Sequence, residues 1–156
     1  MTPFADPGSG HTSNGPVPLQ LKLNYQHSHG WLVDFLEGLR RGEAWAMRCS
    51  SCNTSWCPPH RQCPRDRATM EWHRLSGLGT LLQATAYEGT LPFQTEVQKI
   101  TLGMVHLDGA ENAMLARLGV DMNAAVAGLR VQLACAPEPI THPAQAAWFL
   151  PESETS

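Results

Sequence analysis

The chain has 156 residues, 42% of them hydrophobic and 16% charged, with a formal net charge of −3 at pH 7 and a pI near 6.1. That length holds one modest core plus a small appended module, and the acidic balance argues against a general nucleic-acid binder, which wants a basic face. No apolar run is long enough to span a bilayer and the first residues lack the basic start and apolar stretch of a signal peptide, so a cytoplasmic protein with no membrane contact is expected.

Residues 1–18 are rich in Pro, Gly, Ser and Thr and are expected to be a disordered tail. Residues 19–43 form a helical docking segment whose helix runs from His29 to Arg41. Trp31, Phe35 and Leu39 recur at i, i+4 and i+8, with Leu32 and Leu36 beside them, giving one apolar stripe. Arg40 and Arg41 suit the negative end of the helix dipole, and Gly42 can close it. Such a stripe needs a cover, either the chain's own ribbon or barrel or another subunit. His27 and His29, near its start, read as polar surface.

Residues 44–69 read as a zinc ribbon. Cys49-x2-Cys52 is followed after ten residues by Cys63-x2-Asp66, two metal-binding turns with the last cysteine replaced. Three thiolates and a carboxylate can close a tetrahedral zinc site, because zinc accepts oxygen at about 2.0–2.2 Å as well as sulfur. Pro64 stiffens the second turn. Cys57-Pro58-Pro59-His60 offers another pair, so Cys57 or His60 are alternative fourth ligands to Asp66. The site reads as structural, since a catalytic zinc keeps an open position and a general base, and only His60 and Glu71 are near in sequence. No residue is assigned a catalytic role: Cys57 and Cys135 lack a recognisable activating base, and His73 and His106 lie in strand-like stretches. Five cysteines, three at ligand spacing, fit a reducing compartment better than a disulfide framework.

Residues 70–151 change to strand grammar. Strands are expected at Met70 to Leu75, Thr80 to Tyr87, Ile100 to Leu107, Leu129 to Cys135 and Trp148 to Leu150, with a short helix at Asp121 to Ala127. Short strands, glycine bends and one small helix fit a small barrel, and 152–156 is a polar tail. Arg48, Arg61, Arg65, Arg67 and Arg74 concentrate basic charge around the ribbon. Arg61, Arg65 and Arg67 could meet phosphate oxygens, pair with an acidic partner surface or face solvent. Trp72, Tyr87 and Phe93 are too scattered to form the stacking platform of a single-strand binder.

The order of motifs resembles the acyl-CoA-associated proteins that join a rubredoxin-like zinc ribbon to an OB-fold domain. The residues that carry the likeness are Arg48-Cys49-Ser50-Ser51-Cys52, Pro58-Pro59, Cys63-Pro64, the stretch Trp72 to Thr80 (WHRLSGLGT), Ile100 to Gly109, and Val126 to Leu133 (VAGLRVQL). The helix with Trp31, Phe35, Leu36, Glu37 and Gly38 is similar in character to the segment that precedes the family's ribbon. Asp66 replaces the family's last ribbon cysteine, and Cys57 stands where an aromatic or aliphatic residue usually precedes Pro-Pro. The resemblance spans about residues 25 to 150. It implies a mainly β protein with an N-terminal helix, a rubredoxin-like zinc ribbon and a small OB-fold β-barrel. It further implies a non-catalytic accessory subunit of a thiolase-like enzyme whose larger chain carries the nucleophilic cysteine and acts on a coenzyme A thioester. Partnership with an acyl-CoA hydratase, and a nucleic-acid-binding OB-fold module, are the alternative functions.

Overall fold

The structure, a computed structural model, describes Gln20, Leu21, Leu23 and residues 28–91, 94–138 and 145–153. The expectations for residues 1–18, His27, Phe93 and 154–156 lie outside the described residues.

The i, i+4 stripe folds as expected, with its first turn tightened. A 3-10 turn at Gly30–Leu32 leads into α1 (Val33–Arg40). The helix ends in a Schellman arrangement, in which the Glu43 amide donates to the Gly38 carbonyl at 2.9 Å and the Gly42 amide to the Leu39 carbonyl at 3.0 Å. Gly42 sits at φ +69, a left-handed conformation that a side chain would strain. Phe35 and Leu39 are buried in the same core as Leu81, Val105 and Phe149, with Leu32 and Leu36 packed against it. The chain's own barrel therefore covers most of the stripe. Trp31 stays 38% exposed, its ring 6.3 Å from that of Trp72.

The ribbon is a three-stranded sheet in the order β2-β1-β3, built from β1 (Trp45–Cys49), β2 (Ser55–Trp56) and β3 (Met70–Arg74). The strand at Met70, expected to open the barrel, instead pairs with β1 from Cys49↔Met70 to Trp45↔Arg74. The Leu75 amide extends this ladder to the Ala44 carbonyl at 2.8 Å, and the chain bends at Gly77 before it joins the barrel. Residue type fixes a strand but not its partner, which is why this pairing escaped the sequence.

The barrel closes in the order β4-β5-β6-β8-β7. Its strands are β4 (Leu78–Gly89), β5 (Gln98–Leu107), β6 (Ala113–Leu118), β7 (Arg130–Ala134) and β8 (Trp148–Pro151). β6 and β8 run parallel and the other neighbours antiparallel, the strand order of an OB-fold. β4 shifts register between Leu81 and Gln83, leaving Leu82 as an extra residue that bends the long strand around the barrel. At Gly79 a Cβ would lie 2.7 Å from the His106 carbonyl oxygen, so only glycine lets β4 approach β5 this closely.

One expectation in the barrel is corrected, and one strand is added to those expected. Asp121 to Ala127 is not a helix but a pair of turns, with the Ala124 and Ala125 amides donating to the Asp121 carbonyl. Ala125 is buried while Val126 and Ala127 are exposed, so the stretch lacks the apolar face that would hold so short a helix. β6 was unforeseen because Ala, Met, Leu and Arg are helix formers. In the sheet they alternate, sending Met114, Ala116 and Leu118 inward.

Ribbon and barrel meet along a hydrogen-bonded seam. The Glu111 amide donates to the Ser55 carbonyl at 2.8 Å, the Cys57 amide to Asn112 Oδ1 at 2.8 Å, and the Arg65 guanidinium pairs with Glu111. Within the barrel, Arg130 binds Asp108 through both nitrogens of its fork, at 2.9 and 2.6 Å, and reaches Glu152 at 3.1 Å.

Candidate metal centre

Cys49, Cys52, Cys63 and Asp66 come together at the tip of the ribbon, with their ligand atoms all within 4.8 Å of one another. Two matching turns bring them there. In the first, the Asn53 amide donates to the Cys49 carbonyl at 3.1 Å and Asn53 takes φ 60. In the second, the Arg67 amide donates to the Cys63 carbonyl at 2.9 Å and Arg67 likewise takes φ 60. The correspondence continues outward: the Cys49 amide donates to the Thr54 carbonyl at 2.9 Å, and the Cys63 amide to the Ala68 carbonyl at 3.2 Å. It also holds at the ligand atoms. The Ser51 and Cys52 amides aim at Cys49 Sγ, each at 3.4 Å, as those of Arg65 and Asp66 aim at Cys63 Sγ. Asp66 thus stands in the second turn where Cys52 stands in the first.

The spacing fits a tetrahedral ion. Cys52 Sγ lies 3.6 Å from Cys63 Sγ, and Cys49 Sγ lies 3.5 and 3.7 Å from the two Asp66 oxygens. For a centre about 2.3 Å from sulfur and about 2.1 Å from oxygen, a tetrahedral edge is about 3.6–3.8 Å. Those two edges match the figure, and with all four ligand atoms within 4.8 Å of one another the side chains could close on one ion by small movements.

Electrostatics agree with that use. Hydrogen bonds from the Thr54 side chain and backbone bring the Cys52 thiol down to about 7, whereas burial pushes Cys63 up to about 11. The Ala68 amide, 3.0 Å from Asp66 Oδ1, leads the contacts that hold the Asp66 carboxyl below its usual range. A cation among these groups would drive off the remaining thiol protons, because thiolates are the ligating form. Cys49 and Cys63 are buried and Cys52 and Asp66 exposed, so one side of the cluster opens to solvent.

The alternative ligands lie elsewhere. Cys57 is fully buried in the barrel core, its Sγ 3.5 Å from the Trp45 carbonyl, and burial pushes its thiol up to about 12. His60 packs edge-on against Trp56, ring centroids 5.2 Å apart. Of the basic candidates, Arg65 is engaged by Glu111 and by Thr54 Oγ1 at 3.2 Å. Arg61 and Arg67 are exposed, and no ion pair to either occurs among the described residues. His73 Nε2 lies 2.8 Å from the buried Ser55 Oγ, inside the ribbon sheet. The seam residues Glu111 and Asn112 carried no sequence signal, since their partners lie about fifty residues away in the chain.

No family model and no curated protein matches the chain. Among solved structures it is similar to a chain of the Ltp2-ChsH2(DUF35) aldolase, with a TM-score of 0.63 and 18% identity, covering 81% of this chain and 98% of that one. It is also similar to a DUF35-family protein of unknown function from Sulfolobus solfataricus, with a TM-score of 0.57 and 12% identity, covering 82% of this chain and 90% of that one. At such identities the likeness is one of architecture. The chain has the DUF35 fold, a cysteine-rich ribbon with a candidate metal cluster joined to a five-stranded barrel.

Proposed function

We propose that this protein is a non-catalytic partner subunit of a thiolase-like enzyme acting on acyl-CoA thioesters, in the cytoplasm. One observation carries the reading: the fold matches, over 81% of this chain and 98% of the other, a chain of the Ltp2-ChsH2(DUF35) aldolase. The motif resemblance, from Arg48-Cys49 through Arg130-Val131, points the same way.

In this reading Cys49, Cys52, Cys63 and Asp66 hold a structural zinc that fixes the two ribbon turns. Arg61 and Arg67, exposed beside it, meet the coenzyme A phosphates or an acidic face of the partner, while Arg65 ties the ribbon to the barrel. No helix among the described residues is long and apolar enough to cross a membrane.

The test is co-expression with candidate thiolase-like and hydratase-like chains, followed by purification and assay on acyl-CoA thioesters. The expected result is a stoichiometric complex with the thiolase-like chain that forms or cleaves a carbon–carbon bond, and no activity in the isolated chain. Turnover by the isolated chain, or a stable complex with the hydratase alone, would overturn the proposal.

A further inference from the structure

Arg117 on β6 lacks what a half-buried cation ordinarily has. Its Nε is buried without a hydrogen-bond partner, and no carboxylate of the described residues pairs with its guanidinium. One face of the group lies over the Trp148 ring, 4.8 Å from the centroid. The strand register sets Leu102 of β5 on one side of Arg117 and Trp148 of β8 on the other. Desolvation lowers its pKa, the direction expected for a charge that lacks a counter-ion. A charge so placed is stabilised by acquiring an anion.

Two cavities meet at this side chain. One, of about 350 Å³, is polar and shares Lys99, Thr101 and Asp121 with it. Asp121 already sits 3.5 Å from Lys99 Nζ, so this pair is neutral and one net positive charge remains, which suits a monoanion. The other, of about 360 Å³, runs between α1 and the barrel and is walled by Phe35, Leu36, Leu91, Met114 and Leu115. Phe35, Leu91 and Met114 are buried at its floor, while Leu115, 60% exposed, and half-buried Leu36 form its open rim. A small inorganic anion would leave the apolar wall unused, and a neutral hydrocarbon would leave Arg117 unpaired.

We propose that the groove between α1 and the barrel binds an amphiphilic carboxylate of the fatty-acid class, its head on the Arg117 guanidinium and its aliphatic chain along Leu36, Met114 and Leu115. The planar fork of arginine matches a carboxylate through two parallel hydrogen bonds. This reading stands on the groove alone and does not depend on the subunit role proposed above.

The experiment titrates the full chain with octanoate, octanol, octylamine and acetate. It follows the methyl signals of Leu36, Met114 and Leu115 and the Nε–H signal of Arg117 by NMR. Octanoate is expected to shift all four signals, with octanol weaker by about tenfold or more and octylamine and acetate weaker still. Arg117→Gln should bring octanoate down to the octanol level, and Arg117→Lys should retain part of the preference. Equal affinity for octanoate and octanol, or shifts confined to other parts of the chain, would overturn the proposal. Should Arg117→Gln fail to fold, the comparison of head groups on the unaltered chain decides the matter by itself.

Discussion

Asp66 shows how far a single residue could be read from spacing. Cys63-x2-Asp66 offers it at ligand spacing, and in the matched turns it stands where Cys52 stands in the first turn. What spacing could not separate was Asp66 from Cys57 and His60. That choice depends on where the loop between the turns goes, and it goes into the barrel core, taking Cys57 with it. Replacing Asp66 tests the assignment. Asp66→Ala should weaken zinc binding by at least about tenfold to a hundredfold, since even loss of an outer hydrogen-bond partner costs that much at metal sites. Asp66→Cys should bind at least as tightly as the natural chain, by completing four thiolates. Competition against a chromophoric chelator measures both. Unchanged affinity in Asp66→Ala would assign the fourth position to solvent or another group. Cys57→Ala, by contrast, should leave metal stoichiometry alone, because that sulfur is buried among barrel residues.

The elements divide by whether their residue types agreed with their surroundings. β4, β5, β7 and β8 were legible because Val, Ile, Thr, Tyr, Phe and Trp prefer a pleated surface. β6 was not, because its Ala-Met-Leu-Ala-Arg-Leu run favours a helix until neighbouring strands impose their ladder on it. α1 was legible as a helix, but its stripe could not say what it would cover. Since Phe35 and Leu39 share a core with Leu81 and Val105, the helix is part of the barrel's own packing. Phe35→Ala should therefore destabilise the whole barrel by about 3–5 kcal/mol, the usual cost of emptying a buried aromatic site. Thermal unfolding followed by barrel and helix signals should shift as one transition; an unchanged barrel would make α1 a separable arm. The Arg130 clamp makes a smaller claim. Its hydrogen bonds hold the Asp108 carboxyl below the usual carboxylate range. A depressed folded pKa gives stability that is present above the unfolded value, about 3.9, and is lost as pH falls through the folded one. Asp108 is 46% exposed, so the contribution is at most about 1 kcal/mol after solvent screening. Asp108→Asn should lower the melting temperature slightly at pH 7, and the difference should shrink as pH falls below about 3.9, which paired melts along a pH series would show.

At the scale of the whole molecule, two cores of very different size share one chain. The barrel core runs from Phe35 to Phe149 and includes Cys57, Ala44 just before β1 and Ala46 in its N-terminal half. The ribbon tip has only Met47, Cys49, Cys63 and Met70, with Trp56 and Ala68 against them. Four buried side chains, two of them cysteines of the cluster, are too few to hold two turns against the entropy of ordering them. An ion bound by Cys49, Cys52, Cys63 and Asp66 would add its binding free energy to the folded ribbon alone. Chelation should thus loosen the tip and spare the barrel. The seam at Asn112 and Ser55 marks where that loosening should stop, because there the Cys57 amide is held by the Asn112 side chain and the Ser55 carbonyl accepts from the Glu111 amide of the barrel. Amide hydrogen exchange with and without chelator reads this residue by residue. The amides of Asn53, Cys63 and Arg67 should exchange at least about tenfold faster once metal is removed, while those of Val105 and Leu107 in β5 keep their protection. Equal acceleration in β5 would mean that ribbon and barrel unfold as one cooperative unit and that the metal supports the entire fold. No acceleration anywhere would mean that packing alone holds the two turns, and that the cluster's geometry serves no resident ion.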